Sequence, residues 1–227
     1  MSLWIKICGN TSAEDALLAA ETGADAVGFV FAPSPRQVTV DRVAAIVPHL
    51  PREIEKVGVF VDASFEEIAE AVEACALTGV QLHFETPAAL TEDLRKHFGP
   101  ALRIIGVVHY PTRKIGGEHA AEQMLEFASP FVDHCVDAVL IDSYSLTTRG
   151  GTGQAYDWGL AAVTLFTDTK KRKLAAGGLT PANVAEAIRT LCPWGVDVVS
   201  GVEASPGHKD PEKVRQFIAN ARALTLA

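Results

Sequence analysis

The sequence is poor in cysteine, in aromatic residues, in surplus positive charge and in long apolar runs, and each shortage removes a class of protein. Four cysteines, Cys8, Cys75, Cys135 and Cys192, are scattered through 227 residues with no CxxC pair. That spacing argues against a disulfide framework or a thiolate metal site. The histidines fall at no ligand spacing, so no metal is expected. No apolar run approaches the ~18 residues needed to cross a bilayer. The N-terminus lacks the charged start and small-residue cleavage site of a signal peptide, so a cytoplasmic protein without membrane contact is expected. A net charge of −8 leaves no basic footprint for nucleic acid. An anionic ligand would need local donors rather than bulk charge.

What the chain does hold is apolar residues in a recurring order. It is 48% hydrophobic and 21% charged, enough to bury a sizeable core. Short Val/Ile/Leu runs are expected as strands near 4–8, 25–31, 56–61, 79–83, 103–108, 137–142, 173–176 and 196–200. They lack polar alternation, which suits parallel strands covered on both faces. Helical stretches with start signals lie between them. Thr11-Ser12-Ala13-Glu14 offers Ser or Thr as a cap, with Glu14 in the capping-box position relative to Thr11, and Ser64-Phe65-Glu66-Glu67 repeats the pattern. Thr180-Pro181 and Asp210-Pro211 place proline at a first helical position. A further helix is expected from Glu118 to about Phe127, after a loop at 114–117. Three lead-ins, at Asp25, Asp137 and Asp197, share a common form and suggest a repeated unit of roughly 25–35 residues. With no linker or low-complexity tract, the pattern predicts an α/β chain folded as one (β/α)8 TIM barrel domain over residues 1–227. An open doubly wound sheet fits the same alternation.

In such a barrel, chemistry sits where strands run into the following loops. Strand one ends in Lys6-Ile7-Cys8-Gly9. By strand alternation Lys6 points to the same side as Cys8, where its charge would favour the thiolate; a small buried hydrophobe is the alternative for Cys8. Strand six ends in Ile141-Asp142-Ser143. A carboxylate there cannot be core without a partner, and desolvation would raise its pKa toward that of a general acid. Strands one and six stand three apart around the ring, so their end groups can flank one ligand. Gly177-Gly178 and Ser200-Gly201, after strands seven and eight, let backbone N–H groups approach a phosphate. Gly150-Gly151-Thr152-Gly153 offers a third glycine cluster that can close as a lid. Arg36, stiffened by Pro33 and Pro35, suits a carboxylate. Gln81 and His83 end strand four. Asp62 reads as a helix cap before Ser64, and Cys75, Cys135 and Cys192 read as inert buried thiols.

Together these stretches resemble the phosphoribosylanthranilate isomerase family nearly end to end. The resemblance is carried by Lys6-Ile7-Cys8-Gly9, Gly28-Phe29-Val30-Phe31 with Ser34-Pro35-Arg36, Val57-Gly58-Val59-Phe60-Val61 and Val80-Gln81-Leu82-His83. It continues through Asp142-Ser143, Gly150–Gly153 with Asp157-Trp158, Ala176-Gly177-Gly178-Leu179 and Ser200-Gly201-Val202-Glu203. Phe84 stands where the family usually has glycine, and 109–117 and 144–149 match its sequences poorly. The resemblance implies an Amadori rearrangement in tryptophan biosynthesis, with Cys8 as base and Asp142 as acid. It further implies a substrate site built from Lys6, Arg36, Gln81, His83, Gly151, Gly153, Gly177, Gly178, Ser200 and Gly201. Neither metal nor organic cofactor is implied, and the expected assembly is a monomer or homodimer. A histidine-pathway aminoaldose isomerase and a non-catalytic phosphate-binding barrel are the rival readings. The first is disfavoured by Cys8 where an aspartate would stand, the second by the presence of both acid and base.

Overall fold

The computed structural model describes residues 2–83, 87–111, 135–144, 157–166 and 171–223. Eight strands close a parallel barrel in chain order. They are β1 (Trp4–Ile7), β2 (Ala26–Val30), β3 (Glu55–Val61), β4 (Gly79–His83), β5 (Arg103–Pro111), β6 (Ala138–Tyr144), β7 (Arg172–Ala175) and β8 (Gly195–Val198). The ring shuts where β1 pairs with β8, from Trp4 opposite Gly195 to Ile7 opposite Val198. Each predicted strand is found within three residues of its expected bounds, and the open-sheet alternative is excluded by closure.

The helices are α1 (Ala13–Thr22), α2 (Val40–Ile46), α3 (Phe65–Ala74), α4 (Ala88–Phe98), α5 (Trp158–Thr164), α6 (Val184–Leu191) and α7 (Pro211–Ala223). Two helix starts differ from expectation. The α1 cap is Ser12, whose hydroxyl accepts from Asp15 N–H, so no Thr11–Glu14 box forms. The stretch 181–183 is a turn, not the first helical turn: Asn183 Oδ1 accepts Thr180 N–H at 2.7 Å, and α6 begins at Val184. Ser64 and Glu67 form the reciprocal box as predicted. Asp62 makes no cap but a left-handed turn, with φ 51°. Cys192 is exposed rather than buried, because it ends α6 in a left-handed conformation. The helix expected at 118–127 and the loop at 114–117 lie outside the described residues.

Two apolar layers hold the barrel. Outside, helix residues such as Ile68, Val184, Phe217 and Ile218 pack on the outward faces of the strands. Inside lies a smaller set, among them Trp4, Val57, Ile105, Val107, Leu140 and Leu174. The lower mouth is plugged by Trp4 stacked on Trp194 at 5.2 Å between ring centres. Arg103 lies 5.3 Å over Trp194 and forks onto Glu55. The plug fills the barrel's lower end, away from the ends of the strands.

Candidate active site

The apolar interior stops at Lys6. Its side chain is fully buried inside the barrel, and its ammonium donates to Gln81 Oε1 at 2.9 Å and to Asp197 Oδ1 at 3.0 Å. Register explains the pair, since Lys6 and Asp197 stand opposite one another on adjacent strands. Burial pulls the ammonium down, yet Asp197 and Cys8 together hold it above its ordinary value. It is therefore a fixed cation.

One layer higher lies Cys8, buried, with room made by the neighbouring strand. A Cβ on Gly28 would sit 2.5 Å from the Cys8 sulfur, so glycine is required beside the thiol. Burial pushes the Cys8 thiol up; Lys6 pulls it down, Asp197 pushes it up again and Lys209 pulls it down, leaving it above its ordinary value. The lysine acts in the expected direction, but its charge is shared with Asp197 and does not outweigh desolvation.

Across the mouth, Asp142 near the end of β6 pairs in register with His109 of β5. Burial chiefly, with the Asp197 charge behind it, pushes the Asp142 carboxyl up to about 7, against the Ser143 N–H and Lys6. A carboxyl that keeps its proton near neutrality can serve as a general acid. Lys6 and Asp197 act on both Cys8 and Asp142, so one ion pair underlies both candidates. Gln81 Nε2 lies 2.9 Å from His83 Nε2, and the His83 and His109 rings stand 5.3 Å apart. Burial lowers His83 to about 3 and His109 to about 4, so this wall is uncharged at neutral pH.

On the far side, Gly177 and Gly178 follow β7 with φ of 76° and 64°. A Cβ on Gly177 would meet Ser143 Oγ at 2.5 Å, so this loop rests on the residue next to Asp142. Ser200 and Gly201 form a 3₁₀ turn, and a Cβ on Gly201 would overlap the Leu179 carbonyl oxygen. The two loops thus touch, and a side chain at Gly201 would push them apart. Gly151 and Gly153 lie outside the described residues.

Arg36 reaches the site over Gly9, whose added Cβ would meet Arg36 Cδ at 2.8 Å. Its guanidinium is engaged by a residue the sequence reading had not assigned a role: Nε and Nη2 donate to the two oxygens of Glu203 at 2.8 and 2.6 Å. Lys209, buried, donates to the Cys8 carbonyl at 2.6 Å and to Glu203 Oε1 at 3.3 Å. Asp197, Glu203 and Lys209 are thus site residues not found from sequence. The signal for Asp197 was available, because a carboxylate inside an apolar strand demands a partner just as Asp142 does. Among the described residues, no group of three or more His, Cys, Asp or Glu is placed to hold a metal ion. No helix among them is long and apolar enough to cross a membrane.

Lys6→Met should leave Asp197 as an uncompensated buried charge, costing about 3–5 kcal/mol in urea unfolding. Because Lys6 pulls both Cys8 and Asp142 down, both limbs of the activity–pH profile should move upward. Adding Asp197→Asn should recover part of the stability and return the limbs toward wild type. Unshifted limbs in the single variant would contradict the shared-pair account.

Comparison with known proteins agrees with this geometry. Residues 5–220 match the family model described as N-(5′-phosphoribosyl)anthranilate (PRA) isomerase. An N-(5′-phosphoribosyl)anthranilate isomerase from Citrifermentans bemidjiense is 41% identical over 223 residues, covering 98% of each chain. A solved phosphoribosyl anthranilate isomerase in complex with reduced 1-(o-carboxyphenylamino)-1-deoxyribulose 5-phosphate superposes with a TM-score of 0.77. It is 34% identical, covering 97% of this chain and 99% of that one. Monomers generated from the dimeric Thermotoga maritima enzyme give the same TM-score, identity and coverage.

Proposed function

This chain belongs to the N-(5′-phosphoribosyl)anthranilate isomerase family, and from that premise we propose that Cys8 and Asp142 are the base and acid of its reaction. The enzyme converts N-(5-phosphoribosyl)anthranilate to 1-(2-carboxyphenylamino)-1-deoxyribulose 5-phosphate, an Amadori rearrangement of tryptophan biosynthesis. The observation that carries the role assignment is the shared Lys6–Asp197 pair beneath a buried thiol and a carboxyl that titrates near 7.

The protonated carboxyl of Asp142 gives its proton to the furanose ring oxygen. The anilino nitrogen pushes its lone pair into the C1′ bond as the ring C–O bond breaks, leaving an iminium. Cys8, as thiolate, then removes the C2′ proton, and those C–H electrons neutralise the iminium as the enolamine forms. Tautomerisation gives the ketone. The cationic iminium beside Cys8 favours the thiolate at the step that needs it, which offsets the desolvation that raises the thiol in the free enzyme. The substrate supplies its own electron sink. Backbone N–H groups at Gly177, Gly178, Ser200 and Gly201 hold the phosphate, and Gly151 and Gly153 add further contacts to it. Arg36 holds the ring carboxylate; Lys6, Gln81 and His83 form the polar floor.

We read residues 1–227 as one domain, acting in the cytoplasm as a monomer or homodimer without nucleic acid. The test of the activity is loss of phosphoribosylanthranilate fluorescence with purified protein. In kcat/KM, the limb for Asp142 should lie near pH 7 and the limb for Cys8 above its ordinary 9.0. Activity should rise with pH toward the plateau between them and fall beyond it. A profile with no limb near 7, or with no fall at alkaline pH, would remove one of the two groups from the mechanism.

A further inference from the structure

Glu203 pairs with both Arg36 and Lys209, two of the cations near Cys8. It lies in β9 (Glu203–Ser205), which pairs antiparallel with β10 (His208–Lys209) just after β8. Its side chain is buried and carries a full set of partners: the Arg36 fork, the Lys209 ammonium and the Gly207 N–H at 3.2 Å. The hairpin itself is pinned to the loop that follows Cys8, because Thr11 Oγ1 donates to the Gly207 carbonyl at 2.7 Å. A guanidinium has five N–H donors in a rigid plane. Glu203 takes the Nε–Nη2 edge and leaves three N–H groups, including both on Nη1, for a second planar anion.

We propose that Glu203 is the positioning residue for substrate selection: it clamps one edge of Arg36 so that the other edge is presented, pre-oriented, to the ring carboxylate of the substrate. This rests on the assignment of Arg36 to that carboxylate. Without Glu203, the Arg36 side chain would have to be ordered by the ligand at binding, at an entropic cost that Glu203 removes in advance. Lys209 ties the same carboxylate to the Cys8 backbone, so the clamp and the base keep a fixed separation. Burial alone would push the Glu203 carboxyl up, but Arg36, Lys209 and Gly207 hold it below the usual range, so it stays an anion throughout the working pH range.

The test compares two ligands on wild type, Glu203→Gln and Glu203→Asp: the reduced product analogue, and the same compound lacking the ring carboxylate. Wild type should prefer the carboxylated ligand by about ten- to hundredfold, the range for a charge-assisted pair. In Glu203→Gln that preference should fall to about threefold or less, with KM raised about tenfold and kcat changed much less. Glu203→Asp, which keeps the charge but retreats by one methylene, should fall between. A merely structural role would lower the melting temperature without touching the ratio of the two ligands. Full discrimination in Glu203→Gln overturns the proposal; if that variant yields no folded protein, full discrimination in Glu203→Asp overturns it equally. A wild type that binds both ligands alike would instead refute the role of Arg36, and with it the premise.

Discussion

Cys8→Ser and Asp142→Asn should each lower kcat by about 10²–10⁴-fold, the usual worth of a positioned base or acid, with KM within a few-fold of wild type. The two losses have different causes. Serine fits the space beside Gly28 without strain, but its hydroxyl is a far weaker acid than a thiol and cannot supply the base at accessible pH. Asparagine keeps the shape of Asp142 and its contact with the Ser143 N–H but has no proton of suitable acidity for the ring oxygen. Both residues are needed in one turnover but in successive steps, so the double variant should lose no more than a little beyond the worse single. The folds should survive. Asp142→Asn should even flatten the loss of stability as pH rises from 3.8 to about 7. A carboxyl whose folded pKa lies near 7, above its ordinary 3.8, contributes stability that is present at low pH and lost as pH rises through that window. A variant of either residue with near-wild-type kcat would remove it from the mechanism.

Gly177→Ala should have a large effect on both stability and activity. The position has φ 76°, which costs an L-residue about 1–2 kcal/mol. The new methyl would sit 2.5 Å from Ser143 Oγ and 2.7 Å from Ser143 Cβ. Relieving that overlap means moving either the phosphate loop or the end of β6, at about 1–3 kcal/mol. Together these predict a melting temperature lower by roughly 5–20 °C. Function should suffer in a particular way, because the displaced residue adjoins Asp142: KM should rise as the phosphate cradle opens, and kcat should fall as the acid shifts. An alanine variant with wild-type melting temperature and KM would show that neither the turn nor the loop contact matters.

Most of the fold was legible because parallel strands buried on both faces are written as unbroken apolar runs. Cys8, Asp142, Gly177 and Ser200 were legible because strand ends carry residues that a core cannot use. The charged network beneath them was harder to read. Asp25, Asp137 and Asp197 look like three copies of one lead-in, but they sit at different registers. Asp25 and Asp137 precede their strands and accept the Ile5 and Ile104 N–H groups, with Arg222 and Arg95 as partners. Asp197 is inside β8 and faces Lys6. A shift of three residues relative to the strand start moves the carboxylate from the bottom seam into the barrel interior, and local sequence does not reveal it. Glu203 was missed for another reason: its partners Arg36 and Lys209 meet it only after β2 and the β9–β10 hairpin have been brought together by closure.

The arrangement also carries a cost. Lys6 and Asp197 occupy interior positions that leucine and valine would fill at no desolvation penalty, and replacing buried pairs by apolar residues is often neutral or stabilising. Their retention in this interior is consistent with the electrical role assigned to them, since no other ion pair among the described residues acts on both Cys8 and Asp142.

The most direct measurement is a crystal structure with reduced 1-(o-carboxyphenylamino)-1-deoxyribulose 5-phosphate bound. The ligand should lie across the mouth with the Cys8 sulfur about 3–4 Å from C2′ and the Asp142 carboxyl within about 3 Å of a sugar oxygen on the opposite side. Its phosphate should rest on Gly177, Gly178, Ser200 and Gly201, and its ring carboxylate on the open edge of Arg36. A ligand that reaches the phosphate loops but leaves either the thiol or the carboxyl out of contact with the sugar would contradict the account.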